Sequence, residues 1–386
     1  MHPIVILGSG LAGYSVAKEL RKLDAAVPIT VVTEDDGDFY PKPSLSNAYA
    51  LKKAPPALVT AGAAQMAADF RLEVLAHTRV EAIDRARRVV QTGRRELPYA
   101  RLVLALGGRP VPLKLAGDGA GGVLSVNDLG AYRRFRQAIE PHRRIALLGA
   151  GLVGCEFAND LAGAGYEVDV IDIAPRPLAR FWPQVMAVDF QSRLAAAGVR
   201  WHLGESIERV DLVDGGLAVG LGDGSRVEAD AVLSAVGLVA NTSLAQQAGL
   251  AIGRAIVVDR TLQTSDPDIF ALGDCAEVEG RLLPFIMPIL HAARALAKTL
   301  AGTPTAVVYP AMPVVLKTPA CPAVFFPALV PGGGKWHVED GAQGMRGLYR
   351  AADGTLLAGA LSGGCVRERD ALQKPVSYTH LTLPTN

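Results

Sequence analysis

Two glycine-rich motifs with the same spacing give the clearest indication of what this chain binds. The first is Gly8-Ser9-Gly10-Leu11-Ala12-Gly13, and the second is Gly149-Ala150-Gly151-Leu152-Val153-Gly154. In each motif the first glycine allows a tight turn, the second lets the backbone approach a pyrophosphate, and the third lets a helix pack closely on a strand. The N–H groups at the start of that helix bind phosphate. Together the motifs predict two bound dinucleotides, and the economical interpretation is a flavin and a nicotinamide that exchange a hydride.

Each motif lies between a predicted strand and a predicted helix, as a βαβ unit requires. The first unit consists of strand Ile4–Leu7, a helix from about Leu11 to Leu23 and strand Ile29–Thr33. The second unit has the same order: strand Ile145–Leu148, a helix from about Leu152 to Ala164 that Gly165 ends as a cap, and strand Glu167–Ile173.

An acid at the end of the second strand of such a unit accepts hydrogen bonds from ribose hydroxyls. In the first unit Glu34 is the nearest acid, because Thr33 occupies the position where an acid is more usual. In the second unit Asp172 has this place, and Ile173 rather than an arginine follows it. The second site is therefore expected to prefer NADH to NADPH, although Arg176 keeps NADPH open.

Two further apolar strands bracket the second motif and predict the domain order. One contains Ala105 and leads into Gly107, and the other ends at Gly237. We therefore expect the second dinucleotide domain to be inserted into the first. The predicted domains are a discontinuous FAD-binding domain at 1–107 and 238–305, an NADH-binding domain at 108–237, a small C-terminal domain at 306–376, and a non-native tail at 377–386.

Composition excludes several classes of protein. The chain has 386 residues, half of them apolar, and a net charge of +1, which argues against a nucleic-acid-binding protein. Neither a membrane-spanning apolar run nor a signal peptide is visible, and the four cysteines form no CxxC pair. We expect a cytoplasmic protein with reduced thiols. No His, Cys and Asp cluster has ligand spacing, so a protein-bound metal is not expected.

A third motif identifies a family resemblance. Residues 264–277, which include Gly273-Asp274, resemble the flavin-ribitol motif of the two-dinucleotide disulfide oxidoreductase superfamily. Within that superfamily the chain is similar to bacterial NADH:rubredoxin reductases over about residues 1–375. The segments that carry this likeness are Phe39–Ser46, Asn127-Asp128, Gly149–Asp160 and Lys317–Pro322. The resemblance implies an α/β fold of glutathione-reductase type, with two Rossmann-like domains and a small C-terminal α+β domain.

The resemblance also implies roles for individual residues. Lys42 is expected near flavin N5 and paired with Glu156, and these two are the expected catalytic residues. Asp274 is expected to accept a ribityl hydroxyl, the backbone of Val80 to meet the adenine, and Ile286 and Lys317 to line the isoalloxazine. The residues expected to bind FAD or NADH are Gly8, Ser9, Gly10, Leu11, Ala12, Gly13, Thr33, Glu34, Lys42, Val80, Ala105, Gly107, Gly149, Gly151, Leu152, Val153, Gly154, Glu156, Asp172, Gly237, Gly273, Asp274, Ile286 and Lys317.

The positions of the cysteines limit the ways in which electrons could leave the flavin. Residues 36–60 contain no cysteine, so the thiol relay of many superfamily members is missing. A hydride passed from NADH to flavin N5 would then leave as single electrons to an external carrier. The resemblance implies that this carrier is rubredoxin, an acidic iron–sulfur protein, and that the reductase is a monomer. Two alternatives stay open: a reductase of a [2Fe–2S] ferredoxin in an oxygenase system, or an NADH-responsive flavoprotein that turns over slowly.

Overall fold

The computed structural model describes residues 2–140, 143–328, 333–341 and 343–382. The chain divides into two compact units, each built from three stretches of sequence. The first unit comprises Met1–Lys42, Pro56–Arg109 and Leu238–Tyr309. The second unit comprises Pro43–Pro55, Pro110–Gly237 and Pro310–Asn386.

A five-stranded parallel sheet forms the centre of the first unit. Its strands, in spatial order, are β19 (Ile269–Ala271), β7 (Arg101–Leu104), β1 (Ile4–Leu7), β2 (Ile29–Val32) and β3 (Glu73–Leu75). All four residues of β1 are buried, as a continuous apolar strand covered on both faces requires. Since β2 lies on one side of β1 and β7 on the other, the first glycine motif follows a topological switch point, where ligand crevices form in such sheets.

Helices and smaller ladders complete the first unit. The helices are α1 (Leu11–Leu23), α2 (Ala63–Phe70), α6 (Ser243–Gln247) and α7 (Ile286–Leu300). Three ladders accompany them: β4 (Val80–Asp84) with β5 (Val89–Thr92) and β6 (Glu96–Pro98), β18 (Ile256–Val258) with β20 (Ala276–Val278), and β8 (Gly108–Pro110) with β17 (Leu238–Ala240). The helix α1 packs against α7 and buries Val16 and Leu20 completely, so one apolar face attaches it to the core.

The second unit repeats this plan around the second motif. Its parallel sheet has the order β12 (Val199–Leu203), β11 (Glu167–Asp172), β10 (Arg144–Leu148), β16 (Ala231–Ser234) and β9 (Leu124–Ser125). The remaining elements are α3 (Leu129–Ile139), α4 (Leu152–Gly163), α5 (Gln184–Ala196) and an antiparallel sheet of β13 (Ile207–Val213), β14 (Gly216–Leu221) and β15 (Arg226–Ala229). The strand β10 has neighbours on both sides, so the second motif also follows a switch point.

An antiparallel sheet organises the C-terminal part of the second unit. Its order is β21 (Val314–Leu316), β22 (Ala323–Phe326), β25 (Leu356–Ser362), β24 (Gly344–Arg350) and β23 (Lys335–Gly341). The helix α8 (Arg369–Thr382) packs on this sheet, where Leu372 and Val376 join a core that includes Phe326 and Leu361. The expected α/β fold with a small α+β domain at its end is confirmed.

Several short 3₁₀ helices connect these elements. They are Lys42–Asn47, Pro55–Leu58, Ala120–Gly122, Gly273–Cys275 and Gly363–Glu368. In the part of the chain that the structure describes, no helix combines the length and apolar character needed to cross a membrane.

The predicted elements and the observed ones differ mainly at their ends. The bounds of β1 and α1 match the prediction, whereas β11 ends at Asp172 rather than at Ile173. The side chain of Ile173 is 75% exposed, so the buried strand stops before it. The helix α8 continues to Thr382, beyond residue 377, where the non-native tail is predicted to begin; residues 383–386 of that tail lie outside the described residues.

One carboxylate, that of Asp230, binds the backbone where β10 begins in the second unit's parallel sheet. Asp230, between β15 and β16, accepts the backbone N–H groups of Arg143 and Arg144 at 3.0 and 2.9 Å, and the Arg144 guanidinium at 2.7 Å. Partial burial alone would raise the pKa of Asp230, but these donors outweigh it and lower the pKa from 3.8 to about 2. Because the folded-state pKa is depressed, this stabilisation is complete above about pH 4 and is lost as the pH falls towards 2.

We predict that Asp230→Asn lowers the free energy of unfolding by about 2 kcal/mol at pH 7, and that the difference from the wild type shrinks below pH 4. Thermal melting between pH 7 and pH 3 measures this effect. Asp214→Asn, which removes an exposed carboxylate from the same unit, serves as the control. A difference from the wild type that is unchanged at pH 3 would contradict the assignment.

Candidate functional site

The glycines of the first motif have different tasks in the structure. A Cβ on Gly13 would lie 1.9 Å from the carbonyl oxygen of Gly8, and a Cβ on Gly8 would lie 2.3 Å from the carbonyl oxygen of Ala105. Both positions therefore require glycine for packing of the protein itself. A Cβ on Gly10 would meet no atom of the described residues within 4 Å, so this middle glycine leaves open space beside the backbone.

The second motif shows the same division. A Cβ on Gly154 would lie 1.9 Å from the carbonyl oxygen of Gly149, and a Cβ on Gly149 would lie 2.6 Å from that of Ala235. Gly151 has open space, since no atom of the described residues lies within 4 Å of its Cβ position. The two motifs are thus equivalent in structure as well as in sequence.

Both motifs leave the start of a helix available for phosphate. The helices α1 and α4 begin at Leu11 and Leu152, after Gly10 and Gly151, and no side chain among the described residues caps either first turn. The free N–H groups and the helix dipole at each start favour an anion. The residues at both motifs therefore fit the pyrophosphate of a dinucleotide.

The acid that contacts the first motif is Asp35. Its Oδ1 accepts hydrogen bonds from Ser9 Oγ at 2.9 Å, from Thr33 Oγ1 at 2.6 Å and from the backbone of Gly37 at 3.0 Å. Glu34 is largely exposed and pairs with Arg79 at 3.5 Å instead. Sequence spacing pointed to Glu34 as the ribose acid, which stays a prediction, and it did not single out Asp35, which contacts the motif itself.

Asp172 lies directly beside the second motif, at the end of β11. Its carboxylate accepts the N–H of Ala150 at 2.5 Å and the N–H of Ala174 at 2.7 Å. Ala150 is the counterpart of Ser9, so in both units an acid after the second strand contacts the middle of the glycine motif. The structure thus has Asp172 at the end of a strand, as predicted, and its contact with a ribose stays a prediction.

The third motif joins the first motif within the first unit. Gly273 has a φ of +80°, and a Cβ there would lie 3.2 Å from the Cβ of Ala12 in α1. Burial raises the pKa of the adjacent Asp274, and the positive charge of Lys42 partly offsets that rise. Asp274 and Lys42 are therefore electrostatically coupled on the side of the unit that carries the first motif.

Other predicted residues occupy turns and element ends. The N–H of Ala105 donates to the carbonyl of Leu7, and Gly107 has a φ of +65°. Val80 begins β4, and Ile286 begins α7 with 42% of its surface exposed. In the second unit Gly237 has a φ of +124°, which favours glycine, and its carbonyl accepts the N–H of Val111.

A buried carboxylate, Glu156, lies on α4 one turn after the helix begins at Leu152. Glu156 is 7% exposed, and its Oε2 accepts hydrogen bonds from Lys317 Nζ at 2.5 Å and from Ser46 Oγ at 2.6 Å. Its Oε1 accepts the backbone N–H of Lys317 at 3.0 Å. The lysine that pairs with Glu156 in the second unit is Lys317; Lys42 belongs to the first unit, and its pairing with Glu156 stays a prediction.

The cysteines beside the cofactor motifs are buried thiols. Cys155 in α4 and Cys275 after Asp274 have no exposed surface, and both are free. Burial raises the pKa of both thiols, that of Cys275 to about 11. A thiol with so high a pKa is a poor nucleophile at neutral pH.

Comparison with known proteins assigns these features to a family. Residues 2–297 match the model of pyridine nucleotide-disulphide oxidoreductases, and residues 306–376 match the rubredoxin binding C-terminal domain. The chain belongs to the pyridine nucleotide-disulphide oxidoreductase family. The second match covers the C-terminal antiparallel sheet and ends at the residue before the predicted non-native tail.

Relatives of this oxidoreductase cover nearly its whole length. A rubredoxin-NAD(+) reductase of Alcanivorax borkumensis is 44% identical over 97% of the chain and 98% of the relative. A rubredoxin-NAD(+) reductase of Acinetobacter baylyi is 44% identical over 94% of the chain and 95% of the relative. The reductase in the crystal structure of a covalent putidaredoxin reductase–putidaredoxin complex has a TM-score of 0.89 and 28% identity, and the match covers 98% of this chain and 93% of that one.

Sequence reasoning missed the partners that lie far away in the chain. Ser46, Asn159 and Asp160 make buried or partly buried hydrogen bonds at or beside Glu156, and none of the three was predicted at this site, where the expected partner of Glu156 was Lys42. The spacing of Glu156, Asn159 and Asp160 on one helix face was the available signal, because three polar residues on a face of an otherwise apolar helix require partners.

We predict that alanine at the second glycine of the second motif affects NADH binding, whereas alanine at the third glycine affects stability. Gly151→Ala should leave the melting temperature unchanged but weaken NADH binding by about tenfold or more, since its Cβ would occupy the space next to the pyrophosphate-binding backbone. Gly154→Ala should lower the melting temperature by several degrees, because a Cβ 1.9 Å from a backbone carbonyl forces α4 away from β10.

Fluorescence titration with NADH and thermal melting measure the two effects separately. Gly10→Ala and Gly13→Ala provide the matched pair in the first unit, with FAD retention as the binding readout. Wild-type NADH affinity in Gly151→Ala would remove this glycine from the site.

Proposed function

We propose that this protein transfers electrons from NADH through a bound FAD to rubredoxin. The observation that carries the proposal is the match of residues 306–376 to a rubredoxin binding domain, downstream of two dinucleotide motifs on separate units. The rubredoxin-NAD(+) reductases that are similar over almost the whole chain support it. We further propose a cytoplasmic location, where NADH and reduced thiols are present.

We assign FAD to the discontinuous domain at 1–107 and 238–305, and NADH to the domain at 108–237. The first glycine motif with Asp35 and Asp274 would hold FAD, and the second glycine motif with Asp172 would hold NADH. When bound, FAD accepts an electron pair as hydride and releases electrons one at a time, which suits an iron–sulfur carrier.

The residues around the second motif favour NADH over NADPH. The carboxylate of Asp172 can accept a ribose hydroxyl, whereas it would repel a 2′-phosphate. The neighbouring Ile173 is 75% exposed and offers apolar surface instead of a cation. These two adjacent side chains support the assignment of NADH as the electron donor.

The likeness to putidaredoxin reductase supports one second candidate, reduction of a [2Fe–2S] ferredoxin. We predict that the NADH-reduced holoenzyme reduces stoichiometric rubredoxin much faster than it reduces such a ferredoxin. Anaerobic stopped-flow absorbance with each purified carrier measures both rates, and mixing without NADH is the control. Faster reduction of ferredoxin would transfer the function to the second candidate, and slow reduction of both carriers would favour an NADH-responsive flavoprotein.

We predict that Lys42→Met slows flavin reduction by NADH and lowers the flavin reduction potential, because a cation near the flavin stabilises the charge of its reduced form. Folding should be unaffected. Lys53→Met, which replaces an exposed lysine nearby in the sequence, is the matched control. An unchanged rate and potential in Lys42→Met would remove Lys42 from the mechanism.

A further inference from the structure

One face of α4 is polar although the helix is buried. Glu156, Asn159 and Asp160 lie three and four residues apart and expose 7, 7 and 3% of their surfaces. Residues with this spacing share a helix face. Burying three polar side chains is costly unless each is hydrogen-bonded, so their partners indicate what the face does.

Those partners come from two distant segments of the second unit. Glu156 binds Ser46 and Lys317, as described above. Asn159 Oδ1 accepts the backbone N–H of Ala320 at 3.1 Å. Asp160 accepts the N–H of Tyr49 at 3.0 Å and the N–H of Ala50 at 2.8 Å, with one oxygen each. Through these three side chains the helix therefore holds both Pro43–Pro55 and residues 317–320, here called the Lys317 segment.

Asp160 is the centre of the attachment of Pro43–Pro55. Burial raises the pKa of its carboxyl group, which the two N–H donors oppose. Tyr49 is fixed further, since the Arg136 guanidinium lies 3.9 Å from its ring centroid and its hydroxyl lies 2.9 Å from that of Tyr166. The chain is thus anchored at residues 49–50, three residues after Ser46.

We propose that Asp160 is a positioning residue for electron transfer, acting through Ser46 and Glu156 on Lys317. Asp160 fixes the backbone at Tyr49 and Ala50, which places the Ser46 hydroxyl against Glu156 Oε2. That hydroxyl and the two nitrogens of Lys317 together fix the carboxylate of Glu156. The inference rests on the proposed function, because Lys317 is expected beside the flavin.

The geometry explains why Lys317 needs this support. A lysine side chain is long and flexible, and that of Lys317 is 26% exposed, so burial alone does not fix its ammonium group. Its Nζ shares Oε2 of Glu156 with Ser46 Oγ. Removing the Ser46 donor frees the carboxylate to rotate, and the ammonium group then samples more positions. A cation that moves relative to a redox group changes the electrostatic stabilisation of the reduced state.

The experiment compares Asp160→Asn, Ser46→Ala, the double variant and Ser46→Thr in the FAD-loaded protein. The readouts are the rate of amine labelling of Lys317 by mass spectrometry, the flavin reduction potential, and kcat and KM for NADH. Asp160→Asn and Ser46→Ala should each increase Lys317 labelling about fivefold, the ratio expected for the loss of one hydrogen bond. Both should lower the flavin potential and reduce kcat more than they raise KM.

Two of these variants test whether Asp160 acts on Lys317 through Ser46. The double variant should label no faster than the faster single variant, because both changes break the same chain of contacts. Ser46→Thr keeps the hydroxyl and should restore the wild-type labelling rate and potential. Additive effects in the double variant would overturn the proposed path.

Asp230→Asn is the matched control, since it also removes a carboxylate that accepts two backbone N–H groups in the second unit. It should lower the melting temperature without changing Lys317 labelling or the potential. If Asp160→Asn behaves like this control, Asp160 is merely structural and the proposal fails. If Asp160→Asn does not fold, Ser46→Ala decides: wild-type labelling and potential in that variant overturn the proposal.

A failure of the proposed function can be distinguished from a failure of this inference. Lys317 labelling needs neither NADH nor rubredoxin, so it reports the contact chain alone. Rubredoxin reduction by the wild type reports the function alone.

Discussion

Both glycine motifs depend on a close contact between a helix and the turn that connects it to the preceding strand. At Gly13 and at Gly154, the position of a missing Cβ lies 1.9 Å from a backbone carbonyl oxygen. This proximity lets α1 and α4 begin directly after β1 and β10, with their first N–H groups next to the switch point of each sheet. A methyl group at either position would displace the helix start and everything that α1 or α4 carries.

Besides the close contact at Gly154, a set of buried polar side chains constrains the helix α4. Its start is positioned by Gly154, and its buried polar face then fixes Pro43–Pro55 and the Lys317 segment through Glu156, Asn159 and Asp160. The uncapped start of the helix and the carboxylate that holds Lys317 therefore belong to one rigid element. An error of one residue in the register of α4 would displace all of these groups together.

The sequence predicted the parts of the fold that depend on local patterns. The strands and helices around both glycine motifs follow from apolar runs and glycine spacing, so β1 and α1 were predicted to the residue. The contact of Asp35 with the first motif was not predictable, because which of Glu34 and Asp35 faces the motif depends on how the backbone turns after β2. The contact between Glu156 and Lys317 joins residues far apart in the chain, and no local pattern specifies which lysine meets a given carboxylate.

The assignment of Pro43–Pro55 to the second unit has a consequence for how such a protein can be altered in evolution. This segment is flanked by chain that belongs to the first unit, yet it supplies the Ser46 hydroxyl and the backbone donors at Tyr49 and Ala50 that satisfy α4. An exchange of the continuous piece Pro110–Gly237 alone would leave Glu156 and Asp160 buried without those donors. Recombination between relatives is therefore expected to preserve the segment and the helix as a pair, although more than a hundred residues separate them.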